Sequence, residues 1–168
     1  ALERPRSFFT ALVAAWMLCA CASPAAPEGL VAHWSLDEAR GRVVPDLSGN
    51  VNDAIVSNGV LVGGVRGSGL RFDGRTTTAR CAPSPSLDLR RALTIEAWVN
   101  IHSLAPQGYP AIVRKENAYA LRFHRDRLGF VLWVGGEIVR LESARTQWPL
   151  GRWMHVAATY DGVRTVSY

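Results

Sequence analysis

Lysine is almost missing from this chain: Lys115 is the only one, and arginine carries the rest of the positive charge. The formal net charge is +5, yet the basic residues are spread singly apart from Arg90-Arg91 and Arg114-Lys115, and Arg4 and Arg6 stand near the start. Without a clustered basic stripe, nucleic acid is not an expected partner. Cysteine is scarce too. Cys19 and Cys21 lie near the start and Cys81 is alone in the remainder, which therefore has no internal disulfide available and folds on its core. The apolar run Phe8 to Leu18 is well short of the roughly 18 residues that span a bilayer. From Leu30 onward no stretch carries a sustained 3.6-residue apolar period, which excludes a helical bundle.

The residue sets of common chemistries are absent as well. Glycoside hydrolysis asks for two carboxylates about 5 to 10 Å apart. Glu137 and Glu142 have the wrong parity for one strand face, and Asp37-Glu38 are adjacent. The glycines of "GVLVGGVRGSG" spell neither a phosphate loop nor a dinucleotide fingerprint, since no Gly-Lys-Ser/Thr and no helix follow. Ser68 lacks the outer spacing of a nucleophile elbow. His33, His102, His124 and His155 are scattered without zinc-ligand spacing. No enzyme activity is expected of the segment.

What is present is a succession of short β-branched and aromatic runs between turn residues. The expected strands are "LVAHWSL" (Leu30 to Leu36), "AIVSN", "GLRFD", "TTARCA", "LTIEAWVNI", "AIVRK", "YALRFH", "LGFVLWV", "EIVRLE", "WMHVAATY" and "VRTVSY". Asp73-Gly74, Gly135-Gly136 and Asp161-Gly162 read as hairpin turns, because glycine takes positive φ without penalty. Many short strands at close spacing predict an antiparallel sandwich or jelly roll. In "LTIEAWVN", Ile95, Ala97 and Val99 share one face, and Thr94, Glu96, Trp98 and Asn100 the other, where Glu96 needs water or a partner.

At the start, Arg4 and Arg6 followed by the Phe8 to Leu18 run read as a secretory signal. Its end, Leu18-Cys19-Ala20-Cys21, resembles the lipobox of bacterial lipoproteins, which implies cleavage after Ala20 and lipidation of Cys21. More than one acyl chain holds a soluble domain at a membrane where a single chain is marginal. An ordinary cleaved signal with a secreted product is the alternative. The expected organisation is a signal peptide over 1–20, a tether over 21–29 and one domain over 30–168, exported and facing the cell envelope.

"LVAHWSLDE", "DLSGNVNDA", "GGVRGSGLRFDG", "PSPSLDL", "LTIEAWVN" and "GRWMHVAATYDG", in that order, resemble LamG-like jelly-roll domains of the concanavalin A-like lectin/glucanase superfamily. The resemblance implies an all-β, two-sheet antiparallel jelly-roll sandwich. It also implies further strands after Tyr168, so that the segment reads as a fragment of the sandwich.

Two kinds of site follow. Calcium takes several hard oxygens from flexible loops. "DLSGNVNDA" offers Asp46, Ser48, Asn50, Asn52 and Asp53, with Asp73 as a contributor from a neighbouring loop; calcium is known in some relatives. The alternative is a turn in which Asp46 and Asn50 cap backbone amides. Sugar recognition needs exposed rings beside polar groups. Tyr109 in "LAPQGYP" and Trp148 before Pro149 are the loop aromatics for it, with packing over a sandwich end as the alternative. Trp34, Trp98, Trp133 and Trp153 are expected in the core, Cys81 as a small buried hydrophobe, and His155 as a hydrogen-bonded structural residue. The expected role is a non-catalytic binding module for a glycan or a cell-surface protein. A structural or adhesive accessory domain, or part of a carbohydrate-active enzyme with its catalytic residues beyond Tyr168, are the other readings.

Overall fold

Alternation of apolar and polar residues becomes strand after strand in the computed structural model, which describes residues 27–104 and 109–167. The expectations for residues 1–20, for Cys21 and for most of the tether fall outside the described residues. The strands are β1 (Val43–Val44), β2 (Ala54–Ser57), β3 (Val60–Gly63), β4 (Ser68–Arg71), β5 (Thr78–Cys81), β6 (Leu93–Asn100), β7 (Ala111–Lys115), β8 (Tyr119–His124), β9 (Arg127–Val134), β10 (Glu137–Glu142), β11 (Trp153–Tyr160) and β12 (Thr165–Ser167). Every ladder is antiparallel, in the orders β1-β2-β5, β3-β4, β10-β9-β8-β7 and β12-β11-β6. This is the all-β, antiparallel architecture of a jelly-roll sandwich.

The main core lies between two of these sheets. Strands β8 and β9 turn Tyr119, Leu121, Phe123, Leu128, Phe130 and Leu132 inward, and β6 and β11 answer with Leu93, Val156, Ala158 and Tyr160, backed by Ile95, Ala97 and Val99. Fully burying a side chain of the Leu or Phe kind stabilises by about 1.5–3 kcal/mol. Tyr119 enters the core because its hydroxyl finds the carbonyl of Leu87 at 3.0 Å, and burial raises the pKa of that phenol. A smaller core of Val44, Ala54 and Val56, with Trp34, Leu36, Leu70 and Cys81 against it, holds the β1-β2-β5 sheet.

Turn chemistry sets the hairpins. Gly135 and Gly136 join β9 to β10 with φ of 60° and 87°, the positive pair that a tight hairpin requires. At Gly69 in β4 the missing side chain matters for packing: a β-carbon there would come 3.2 Å from the ring of Trp153.

Two expectations are corrected, and one strand is added. Leu30 to Leu36 forms no strand, because its backbone groups bond side chains of the following loop instead of a neighbouring ladder: His33 N–H donates to Asp46, and the Val31 carbonyl accepts from Asn50 and Asn52. Val60–Gly63, hidden in a glycine-rich stretch, is a strand paired with β4. Trp98 is not core. It is 55% exposed, since the parity that sends Ile95, Ala97 and Val99 inward sends Trp98 out with Thr94 and Glu96.

Candidate functional site

The loop before β2 is a knot of hydrogen bonds around a buried carboxylate. Asp46 Oδ1 accepts the N–H groups of His33 (2.8 Å) and Ser48 (2.9 Å), and Oδ2 accepts the Ser48 hydroxyl (2.8 Å) and the Asn52 N–H (3.0 Å). A carboxylate offers about four lone-pair sites, so these donors use its accepting capacity. Asp53 Oδ1 accepts the Asp46 N–H at 2.8 Å. Asn50 donates to the Leu30 and Val31 carbonyls, both at 3.1 Å. Asn52 donates to Val31 and to Ser86 Oγ, both at 2.9 Å. Burial raises the Asp46 pKa, but the Ser48, His33 and Asn52 N–H groups and the Ser48 hydroxyl outweigh it and leave the pKa lowered.

Asp73 caps a different turn. Its Oδ1 accepts the N–H groups of Arg75, Thr76 and Thr77, each at 2.9 Å, and its Oδ2 the Thr76 hydroxyl at 2.7 Å. The Thr77 and Arg75 N–H groups lead in holding its carboxyl far below the usual carboxylate range. Calcium needs six to eight oxygens free to turn toward it. Among the described residues no group of three or more His, Cys, Asp or Glu side chains gathers at a cation-sized site. The carboxylate oxygens of Asp46 and Asp73 are taken up by the protein's own donors. Calcium titration of the protein is expected to leave its melting temperature unchanged, and a rise that a chelator reverses would contradict that.

A different constellation lies on the outer face of the β7–β10 sheet. In β8, Tyr119, Leu121 and Phe123 point inward, so Arg122 and His124 point out. The N–H of Phe123 donates to the Pro110 carbonyl at 2.9 Å and so fixes the chain just after Tyr109 against β8. Tyr109 then lies over both outward side chains: the Arg122 guanidinium is 4.1 Å from its ring centroid, and the His124 ring is 4.9 Å away at 33°. The His124 Nδ1 is 2.9 Å from Glu142 Oε1 of β10. Arg122 Nε is buried without a partner, and the stacked ring gives the guanidinium partial compensation. Despite these contacts Tyr109 remains 55% exposed.

Across the strands, Arg122, Gly129 and Glu142 form one row of the register, and Arg114, Ala120, Val131 and Arg140 the next. Ala120 and Val131 in the second row are buried, and Arg114 and Arg140 flank them on the neighbouring strands. Trp148 is placed otherwise. Its ring meets Phe123 edge-on at 5.2 Å, its Nε1 donates to the Asp126 carbonyl at 2.8 Å, and it packs against the main core. It also lines, with Leu128, Ser143, Arg145, Met154 and His155, a cavity of about 260 Å³ at one end of the sandwich. Of the two loop aromatics, Tyr109 alone joins the ring-and-polar cluster.

The match to a known family falls on this part of the chain. A laminin-G-type family model, described as concanavalin A-like lectin/glucanases superfamily, matches residues 72–168. The chain belongs to the concanavalin A-like lectin/glucanase superfamily. No curated protein and no solved structure matches it. Domains of this superfamily often bind carbohydrate. The superfamily stretch holds Tyr109, Arg122, His124 and Glu142, whereas the Asp46 knot precedes it. Arg122, His124 and Glu142 were missed from the sequence. The polar phase of "YALRFH" marks the first two, but nothing local ties Glu142 to them.

Proposed function

We propose that the chain is a non-catalytic saccharide-binding domain of the cell envelope, with its ligand seated on Tyr109. The observation that carries this is a ring that stays 55% exposed while its underside is held by Arg122 and His124. A ring so held loses little freedom on binding, and its open face suits the C–H face of a pyranose. Arg122 and His124 supply donors at its rim, and Glu142 an acceptor, for hydroxyl groups. Glu137 and Glu142 fall on opposite faces of β10, which supports binding over hydrolysis. The signal-like run and the Ala20-Cys21 junction support placement at a membrane through a lipid on Cys21.

The test is a glycan screen followed by titration of the best ligand against wild type and Tyr109→Ala. The substitution is expected to weaken binding at least tenfold, equivalent to about 1.4 kcal/mol, with cooperative unfolding retained. Absence of saturable binding of wild type to any glycan would refute the proposal. Release of new reducing ends during the screen would move the reading to an enzyme.

A further inference from the structure

The opposite outer face of the sandwich carries a second aromatic cluster of different chemistry. Strands β6 and β11 pair with Trp98 opposite His155, Glu96 opposite Ala157 and Thr94 opposite Thr159. The side chains of Ile95, Ala97, Val99, Val156 and Ala158 pack in the shared core, so Thr94, Glu96 and Trp98 project away from it. The rings of Trp98 and His155 are 5.3 Å apart at 59°, His155 Nε2 is 3.5 Å from Glu96 Oε2, and the Thr94 and Thr159 hydroxyls are 3.1 Å apart. Trp98 keeps 55% of its surface in solvent although it lies within a paired strand.

An isolated exposed apolar residue is ordinary. This one heads a column in which an indole, a carboxylate and a hydroxyl pair follow at two-residue steps, about 7 Å each along the strand. Its companions are of the kind that pyranoses require: a flat apolar ring, an imidazole that can donate, a carboxylate that accepts, and hydroxyls that do both. The charge of the ligand follows from the charges present. His155 is the basic side chain of the cluster and already faces Glu96, so a carboxylate or sulfate on the ligand would meet the Glu96 carboxylate with no second basic group from the cluster to offset it. The Tyr109 face, with Arg114, Arg122 and Arg140, has the opposite bias.

We propose that Trp98, His155 and Glu96 form a second subsite, for neutral saccharide chains, on the face opposite Tyr109, so that one domain can hold two glycan chains at once. The subsite stands on its own residues and does not depend on the Tyr109 reading.

The test uses intact protein and three soluble probes: cellohexaose, chitohexaose and, as the anionic contrast, a hexameric polyuronate. Tryptophan fluorescence and calorimetric titrations are run on wild type, Trp98→Ala, Glu96→Gln and Tyr109→Ala. A neutral probe is expected to change the wild-type fluorescence, and Trp98→Ala to remove that change and weaken the binding at least tenfold. Glu96→Gln keeps the indole and is expected to weaken the neutral probe severalfold, which retains a readout should Trp98→Ala fold poorly. Tyr109→Ala is expected to leave the Trp98 signal in place. Wild-type titrations by Trp98→Ala, a response only to the polyuronate, or silence with all three probes would each overturn the proposal. Loss of all binding in Tyr109→Ala would remove this subsite and keep the first; loss confined to Trp98→Ala would do the reverse.

Discussion

Asp46→Ala is expected to cost the fold at least about 1–3 kcal/mol, the penalty for leaving buried donors without their acceptor. The carboxylate satisfies four donors drawn from His33, Ser48 and Asn52, and three of them are backbone N–H groups with no ladder to return to. Removing it strands those donors and frees the segment around His33 from the loop before β2. Asp46→Asn is expected to be nearly as costly, since its amide nitrogen would turn a donor toward donors. The pH dependence has a definite sign. The folded carboxyl titrates below its ordinary value of 3.8, so its stabilisation is complete above that value and is lost as the pH falls through the lower folded one. Urea unfolding at pH 7 and at about pH 3 checks both statements: the gap between wild type and Asp46→Ala should be large at the first and narrower at the second. A gap below about 1 kcal/mol at pH 7 would show the knot to be dispensable.

The fold was legible where one force dominated. In β6 and β8 strict alternation places each side chain, and in β9–β10 the Gly135-Gly136 pair sets the hairpin. Legibility failed where two forces competed. Leu30 to Leu36 has a strand's composition, but Asp46, Asn50 and Asn52 take its backbone bonds, and that competition spans up to 21 residues of sequence. Trp98 shows the opposite conflict. Its residue type argued for burial and its parity for exposure, and parity won because the inward phase of β6 was already filled by Ile95, Ala97 and Val99. The Tyr109 cluster was half legible. A loop tyrosine can be named from sequence, but its joining to Arg122, His124 and Glu142 depends on the β8-β9-β10 register, which pairs residues through Gly129.

Phe130→Ala is expected to destabilise by about 3–5 kcal/mol, against little change for Trp98→Ala, though both remove an aromatic ring from a central stretch of strand. Phe130 is 1% exposed and is registered between Leu121 of β8 and Leu141 of β10, with Val156 and Ala158 in the same core from β11. Truncation leaves a cavity between the two sheets, whose interdigitated side chains can close it only in part. Trp98 has more than half its surface in water already, so its loss creates no void. Thermal and urea unfolding of the two variants separate the cases. The same pair distinguishes support from recognition. Below its unfolding midpoint Phe130→Ala should bind a glycan on the Tyr109 face with wild-type affinity per folded molecule, because Phe130 faces the core and Arg122 and His124 the solvent side of the same sheet. A loss of affinity in folded Phe130→Ala would mean that the outer face depends on the spacing of the two sheets.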